Sequence, residues 1–198
     1  MTDLLLSRKP LKAAPALTVA GDIALTEGRV HEACGLGRFA FAAFLARAAQ
    51  GPVIWISGPG GSGMNPDGMA PFCDPGRFLF VTARRPIDRL WALEETLRAG
   101  AVALAVADLD EAPGLTPVRR LHLAAETGAE MRQRPTGLLL TPGEGGAAGV
   151  ESRWHVSPDH APSRARWTAR RVRARMAPPA AFSLRHDETG LFAAPIPV

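Results

Sequence analysis

FLFVTARRPIDRLWALEETLRAGAVALAVADL, residues 78 to 109, carries the pattern that decides the fold. FLFVT (78 to 82) reads as a strand. Pro86 stands where a first helical residue would be, Asp88 falls in the first turn, and Ile87, Leu90, Trp91, Glu94 and Leu97 follow the helical period to Gly100. AVALAVADL (101 to 109) is then a short continuous apolar run, as expected of a strand covered on both faces. Strand, helix and strand at these lengths predict parallel strands joined by a helical crossover, and hence an α/β fold.

The same alternation extends in both directions. Upstream, GRFAFAAFLARAAQ (37 to 50) places Phe41, Phe44, Leu45 and Ala48 on one helical face, Gly51-Pro52 stops it, and PVIWIS (52 to 57) reads as a buried strand. A loop dense in Gly, Pro and Asp follows to Gly76. Downstream, Thr116-Pro117 predicts a capped helix start with proline at its first position, Val118, Leu121 and Ala125 continue the stripe to Gly128, and TGLLLTP (136 to 142) is a fourth strand. Residues 31 to 142 thus form the predicted core. Residues 1 to 30, with Pro10, Pro15 and Gly21 and no sustained period, read as a partly ordered arm, and 143 to 149 as a flexible glycine-rich connector. Residues 150 to 198 read as an antiparallel extension and tail, with strands at 150 to 157, 165 to 176 and 180 to 187 and a turn at Glu188-Thr189-Gly190.

A chain of 198 residues, 46% hydrophobic and 21% charged with mean hydropathy near zero, has the composition of one globular domain and excludes wholesale disorder. No run of about 18 apolar residues occurs, and MTDLLLSRKPLK sets charges directly after three leucines. Neither a membrane span nor a signal peptide is expected, and the expected location is cytoplasmic. Cys34 and Cys73 form no CxxC or Cys/His pattern, so neither structural zinc nor a disulfide framework is expected. The net charge of +4 lies wholly in the last quarter: residues 1 to 150 balance 15 Lys/Arg against 15 Asp/Glu, whereas 151 to 198 hold 8 Arg against 4 acids. Arginine richness beside so much Ala, Gly and Pro is also what a GC-rich genome produces.

GPGGSGMN (58 to 65) follows a strand, as a phosphate loop of the form GxxxxGK[ST] would. Gly58 and Gly63 keep the glycine frame. Met64, however, replaces the lysine that neutralises phosphate, and Asn65 replaces the hydroxyl residue that ligands magnesium. Asn65-Pro66 followed by Asp67-Gly68 is turn chemistry, so no long helix is expected to face a phosphate there. Asp108 ends its strand where P-loop ATPases carry a magnesium-binding acid, but reads first as an acid at a strand terminus, capping the turn before Pro113. His31, His122 and His155 have no metal-ligand spacing, and no serine sits in a G-x-S-x-G elbow. No cofactor, metal or catalytic activity is expected.

HEACGLGRFAFAAFLA (31 to 46), GPVIWIS, DPGRFLFVTARRPIDRLWALEETLRAGAVALAVADL (74 to 109), TPVRRLHLAAE (116 to 126) and TGLLL together resemble the ImuA family, over about residues 30 to 176. That family is grouped with RecA-like proteins and with the SulA-like division inhibitors. The resemblance implies a RecA-like sheet with a degenerate phosphate loop, in which EACGLGR takes the true loop's place without a Lys-Ser/Thr pair. It makes the Gly58 loop a decoy one strand too late, and Asp108 a remnant. It further implies a non-catalytic accessory role in SOS-induced translesion DNA synthesis, acting with ImuB (an inactive Y-family polymerase relative), an error-prone DnaE-type polymerase and RecA. The alternatives are a SulA-like division inhibitor and a weak P-loop-type ATPase.

The arginines after residue 150 carry the remaining signal. Period two places Arg171, Arg173 and Arg175 on one strand face and Val172, Ala174 and Met176 on the other, with Arg164, Arg166 and Arg170 preceding a slip at Arg170-Arg171. Such a surface suits DNA phosphates, a protein partner, or simply a solvated edge, with Trp167 either stacking on a ligand or packing.

Overall fold

The computed structural model describes residues 15–61, 64–162 and 165–197. Their main feature is a mixed nine-stranded sheet. It is built from β3 (Val30–Cys34), β4 (Val53–Ser57), β5 (Phe78–Thr82), β6 (Leu104–Asp108), β7 (Thr136–Leu140), β8 (Ser152–Pro158), β9 (Ala165–Ala174), β10 (Ala180–Asp187) and β11 (Gly190–Ile196), in the spatial order β11-β10-β9-β8-β3-β7-β6-β4-β5. From β8 to β5 every pairing is parallel, and from β8 to β11 every pairing is antiparallel. The protein is therefore α/β, and β8 joins its two halves.

Helix α1 (Arg38–Ala48) lies on one face and α3 (Pro86–Ala99) and α4 (Leu115–Met131) on the other, while α2 (Pro66–Met69) is a single turn in the loop after β4. Helix α3 begins at Pro86 and stops at Gly100, which takes the left-handed conformation (φ 58°) that disfavours side chains. A side chain at Gly100 or Gly128 would meet backbone of the other helix at 2.4 Å or less, so both glycines are needed for the close crossing of α3 and α4. Helix α4 starts at Leu115, one residue before the expected cap, and runs past Gly128 to Met131. Pro117 is tolerated because first-turn N–H groups have no intrahelical partner.

Residues 15 to 30 differ from the expected arm. Strands β1 (Ala16–Ala20) and β2 (Ile23–Thr26) form an antiparallel hairpin whose Leu17, Ile23 and Leu25 are buried against α1 and the sheet. Short strands of four and five residues carry too little periodicity to be read from sequence. The expectation for residues 1 to 14 lies outside the described residues. Among the described residues no helix is long and apolar enough to cross a membrane.

The core on the α1 side is aromatic. Trp167 of β9 meets Phe44 of α1 edge-on at 5.0 Å and Phe72 at 5.8 Å, and Phe41 lies 5.7 Å from Trp154 of β8. A polar chain runs through it. Trp154 Nε1–H donates to Ser152 Oγ (2.9 Å), the Ser152 hydroxyl meets His31 Nδ1 (2.7 Å), and the other ring nitrogen, His31 Nε2, meets the Thr26 carbonyl (2.9 Å). The carbonyl accepts only from a protonated Nε2, so neutral His31 takes the tautomer that satisfies all three groups.

Burial lowers the His31 pKa from 6.5 to about 4. As pH falls, the unfolded chain takes up this proton below about 6.5 and the folded chain only near 4, so stability is lost across that window. The loss should reach on the order of 3 kcal/mol at pH 4. Urea unfolding of the wild type and of His31→Gln between pH 7 and 4 checks this, the variant showing a flatter pH profile.

Candidate functional site

In parallel α/β sheets, ligands bind outside the carboxyl ends of the strands, where successive connections diverge. Here that rim is formed by the segments following β3, β7, β6 and β4. The link from β3 to α1 is only Gly35-Leu36-Gly37. The Gly35 N–H donates to the Gly143 carbonyl (2.9 Å) and the Gly37 N–H to the Val156 carbonyl (2.8 Å). A Cβ on Gly35 would lie 2.5 Å from the Val156 oxygen, and one on Gly37 2.7 Å from Val156 Cγ1. The link is thus pressed flat on β8, and N–H groups that would face an anion in a phosphate loop are spent on protein carbonyls.

The loop after β4 is arranged differently again. Gly58 ends the strand beneath Arg89, whose Nη2 would stand 2.9 Å from a Cβ there. Met64 is partly buried against the aromatic core, and the Asn65 side chain accepts from the Asp67 N–H (3.0 Å) to cap the four-residue α2. Gly63 lies outside the described residues. Buried Arg89 donates to the carbonyls of Ala83 (3.2 Å) and Asp108 (3.2 Å) and to Asp110 Oδ2 (2.7 Å), tying together the ends of β5 and β6. Asp108 is half-buried at the end of β6; desolvation pushes its carboxyl up, and the charges of Arg38 and Arg89 oppose that.

A buried residue that the sequence reading passed over organises the rim. Glu32, in the middle of β3, is fully buried. Its carboxylate accepts from the Thr141 hydroxyl (2.6 Å), the Gly146 N–H (2.8 Å), the Ala147 N–H (3.0 Å) and Arg153 Nε of β8. Arg153 also donates to the Ala147 carbonyl (2.9 Å). The stretch 143 to 149, expected to be a flexible connector, is therefore wrapped around an internal anion. The available signal was a lone acid inside a strand, VHEAC, whose other residues carry no formal charge, which is uncommon in a core strand unless the charge is paired. Beside it, Cys34 is free and buried, its thiol pushed up to about 12 by burial; Cys73 is likewise free and buried. Among the described residues no cluster of His, Cys, Asp and Glu is arranged to hold a metal ion.

The arginine strand is β9. Register against β8 pairs Trp154 with Arg171 and Arg153 with Arg173, so Val172 is a bulge and the expected common face of Arg171, Arg173 and Arg175 does not form. Arg171 turns to the core side, 5.6 Å from the Trp154 ring and 6.0 Å from that of Phe182. Arg166, Arg170 and Arg173 occupy the opposite face. Arg175 lies beyond the strand, donating to the Gly149 carbonyl (3.3 Å) with Glu151 at 3.7 Å. Trp167 belongs to the aromatic core, and Arg164 lies outside the described residues.

The free edge of the sheet at β5 also escaped notice. FLFVT was read correctly as a strand, but only Phe78 is buried. Leu79, Phe80 (56% exposed) and Val81 are open to solvent, and Ile87 and Trp91 (60% exposed) of α3 are exposed separately, along a groove with α4. The sequence matches no protein-family model and no curated protein sequence.

Glu32→Ala should cost about 3–5 kcal/mol by leaving the partly buried Arg153 guanidinium without its partner. Adding Arg153→Leu should recover part of that loss. Urea unfolding measures both, and limited proteolysis should show cleavage at 143 to 149 rising in the single variant.

Proposed function

We propose that this chain is a non-catalytic, RecA-like adaptor in SOS-induced translesion synthesis, holding an ImuB-like polymerase relative and, through it or directly, a DnaE-type polymerase or RecA. The segments that resemble the ImuA family fall on β3, α1, β4, β5, α3, β6, α4 and β7, the parallel half of the sheet. The observation that carries the adaptor reading is the exposed apolar edge strand β5. A strand without a charged residue, open along a sheet edge, is a surface of the kind that proteins cover with a partner. Natural free edges are ordinarily blunted by charge or proline. The opposite edge strand, β11, carries Pro195, whereas β5 carries neither.

The non-catalytic part of the reading draws on the β3–α1 link. The Gly35 and Gly37 N–H groups are already paired, and Arg38, the first residue of α1, donates to the Gly35 carbonyl (3.1 Å). A triphosphate there would have to displace both β8 and the link.

Co-purification with an ImuB-like protein tests the proposal. Wild type should be retained, and Phe80→Lys should weaken retention at least tenfold with unchanged thermal melting, since loss of a central aromatic contact costs about 2 kcal/mol or more. Failure of the wild-type chain to bind ImuB-like, DnaE-type and RecA proteins would overturn the adaptor reading. Tight, magnesium-dependent ATP binding in a nucleotide titration would overturn its non-catalytic part.

A further inference from the structure

We propose that the uncovered face of β9 to β11 binds single-stranded nucleic acid, with phosphates along β9 and a base on Phe192. This site is separate from the β5 edge and does not rest on the adaptor reading. It begins from the way the sheet is covered. Helices α3 and α4 pack on β3, β4, β6 and β7, whereas β8 to β11 receive α1 and the β1–β2 hairpin on the other side only. The segment 143 to 149 covers β8 on the α3 side, where Arg153 and His155 are largely buried, and the α3-side face of β9 to β11 is left to solvent.

Register fixes which side chains stand on that face. Trp167, Ala169 and Arg171 of β9 turn inward with Phe182 and Leu184 of β10, so Arg166, Thr168 and Arg170 turn outward. The bulge at Val172 then brings Arg173 back to the outward side, across from Arg153. Without the bulge, Arg173 would follow Arg171 inward. Arg185 of β10 stands opposite Arg166, and Phe192 of β11 opposite Arg185.

The charges are partly balanced, and the imbalance is local. Asp159 lies 3.2 Å from Arg166 and Asp187 3.3 Å from Arg185. Arg170 and Arg173 have no acidic partner among the described residues. Residues between them and the aromatic ring are small: Thr168, Ser183 and Ala194. Phe192 is 42% exposed, with the Arg185 guanidinium 5.2 Å from its ring centre, beside a shallow hollow of about 340 Å³.

This combination fits one ligand chemistry. Phosphodiesters need cations spaced along a track, and an exposed ring flanked by a guanidinium offers a stacking platform that any base can use. A duplex keeps its bases stacked on one another, and this flat face has no helix or loop to enter a groove. The open ring is therefore matched to an unpaired base, and the ligand to a single strand.

The test is fluorescence anisotropy with a labelled oligothymidylate of about 20 nucleotides, the full chain being titrated between about 50 and 200 mM salt. The wild type should bind with affinity that falls steeply with salt. Arg170→Ala with Arg173→Ala should weaken binding about tenfold or more and reduce the salt slope by about 1.4, two phosphate contacts at 0.7 each. Phe192→Ala should weaken binding about fivefold or more with little change in slope. Arg84→Ala, an exposed arginine just beyond β5 at the opposite end of the sheet, should change neither, and Arg170→Lys with Arg173→Lys should keep most of the affinity. Absence of binding at the lowest salt overturns the proposal. So does tighter binding of the duplex than of the single strand, or an Arg84→Ala loss equal to that of the β9 pair. Loss of ImuB-like binding in Phe80→Lys leaves this site intact, so the two readings fail separately.

Discussion

A single buried carboxylate holds the two halves of this sheet in register. Glu32 sits in the strand between the parallel half and β8, and burying its charge unpaired would cost several kcal/mol. Four donors offset that cost, and they come from different places in the chain: Thr141 after β7, Gly146 and Ala147 in the following loop, and Arg153 on β8. Satisfying Glu32 therefore fixes where β7 ends, how the chain turns, and which residue of β8 faces β3. An apolar residue at 32 would pack as well but would leave that alignment unspecified.

The functional surfaces follow from that alignment. Because β8 is placed against β3 by Arg153, the Val156 carbonyl comes to lie against Gly35 and Gly37, closing the link where an anion would otherwise find free N–H groups. The same placement of β8 sets the register of β9, so that the Val172 bulge divides its arginines between the two faces. One becomes part of the aromatic packing and others reach solvent. At the far end of the sheet, β5 is paired on one side only, and its apolar residues are left exposed.

The parallel half was legible because its signals are local. Pro86 at a helix start, Gly100 at its end, and apolar runs of five residues between helices depend only on neighbouring residues, and the strands at 53–57, 78–82, 104–108 and 136–140 lie where the sequence puts them. Features set by pairing were not legible. Period two alone put Arg171 and Arg173 on one face, but the bulge exists only relative to β8. Trp167 left open a stacking or a packing role, and the nearness of Phe44 and Phe72, both more than ninety residues away in sequence, decides for packing. The exposure of Phe80 and the burial of Glu32 likewise depend on which strands and loops lie beside them. The family resemblance spans β5 and β9 but implies partners without saying which surface holds them.

Hydrogen–deuterium exchange of the full chain, alone and with an ImuB-like protein, tests the adaptor account most directly because it reads the contact surface without altering it. The account predicts new protection confined to 78–82 in β5. Complex formation that leaves those amides unprotected, and protects the rim or the β9 face in their place, would contradict it.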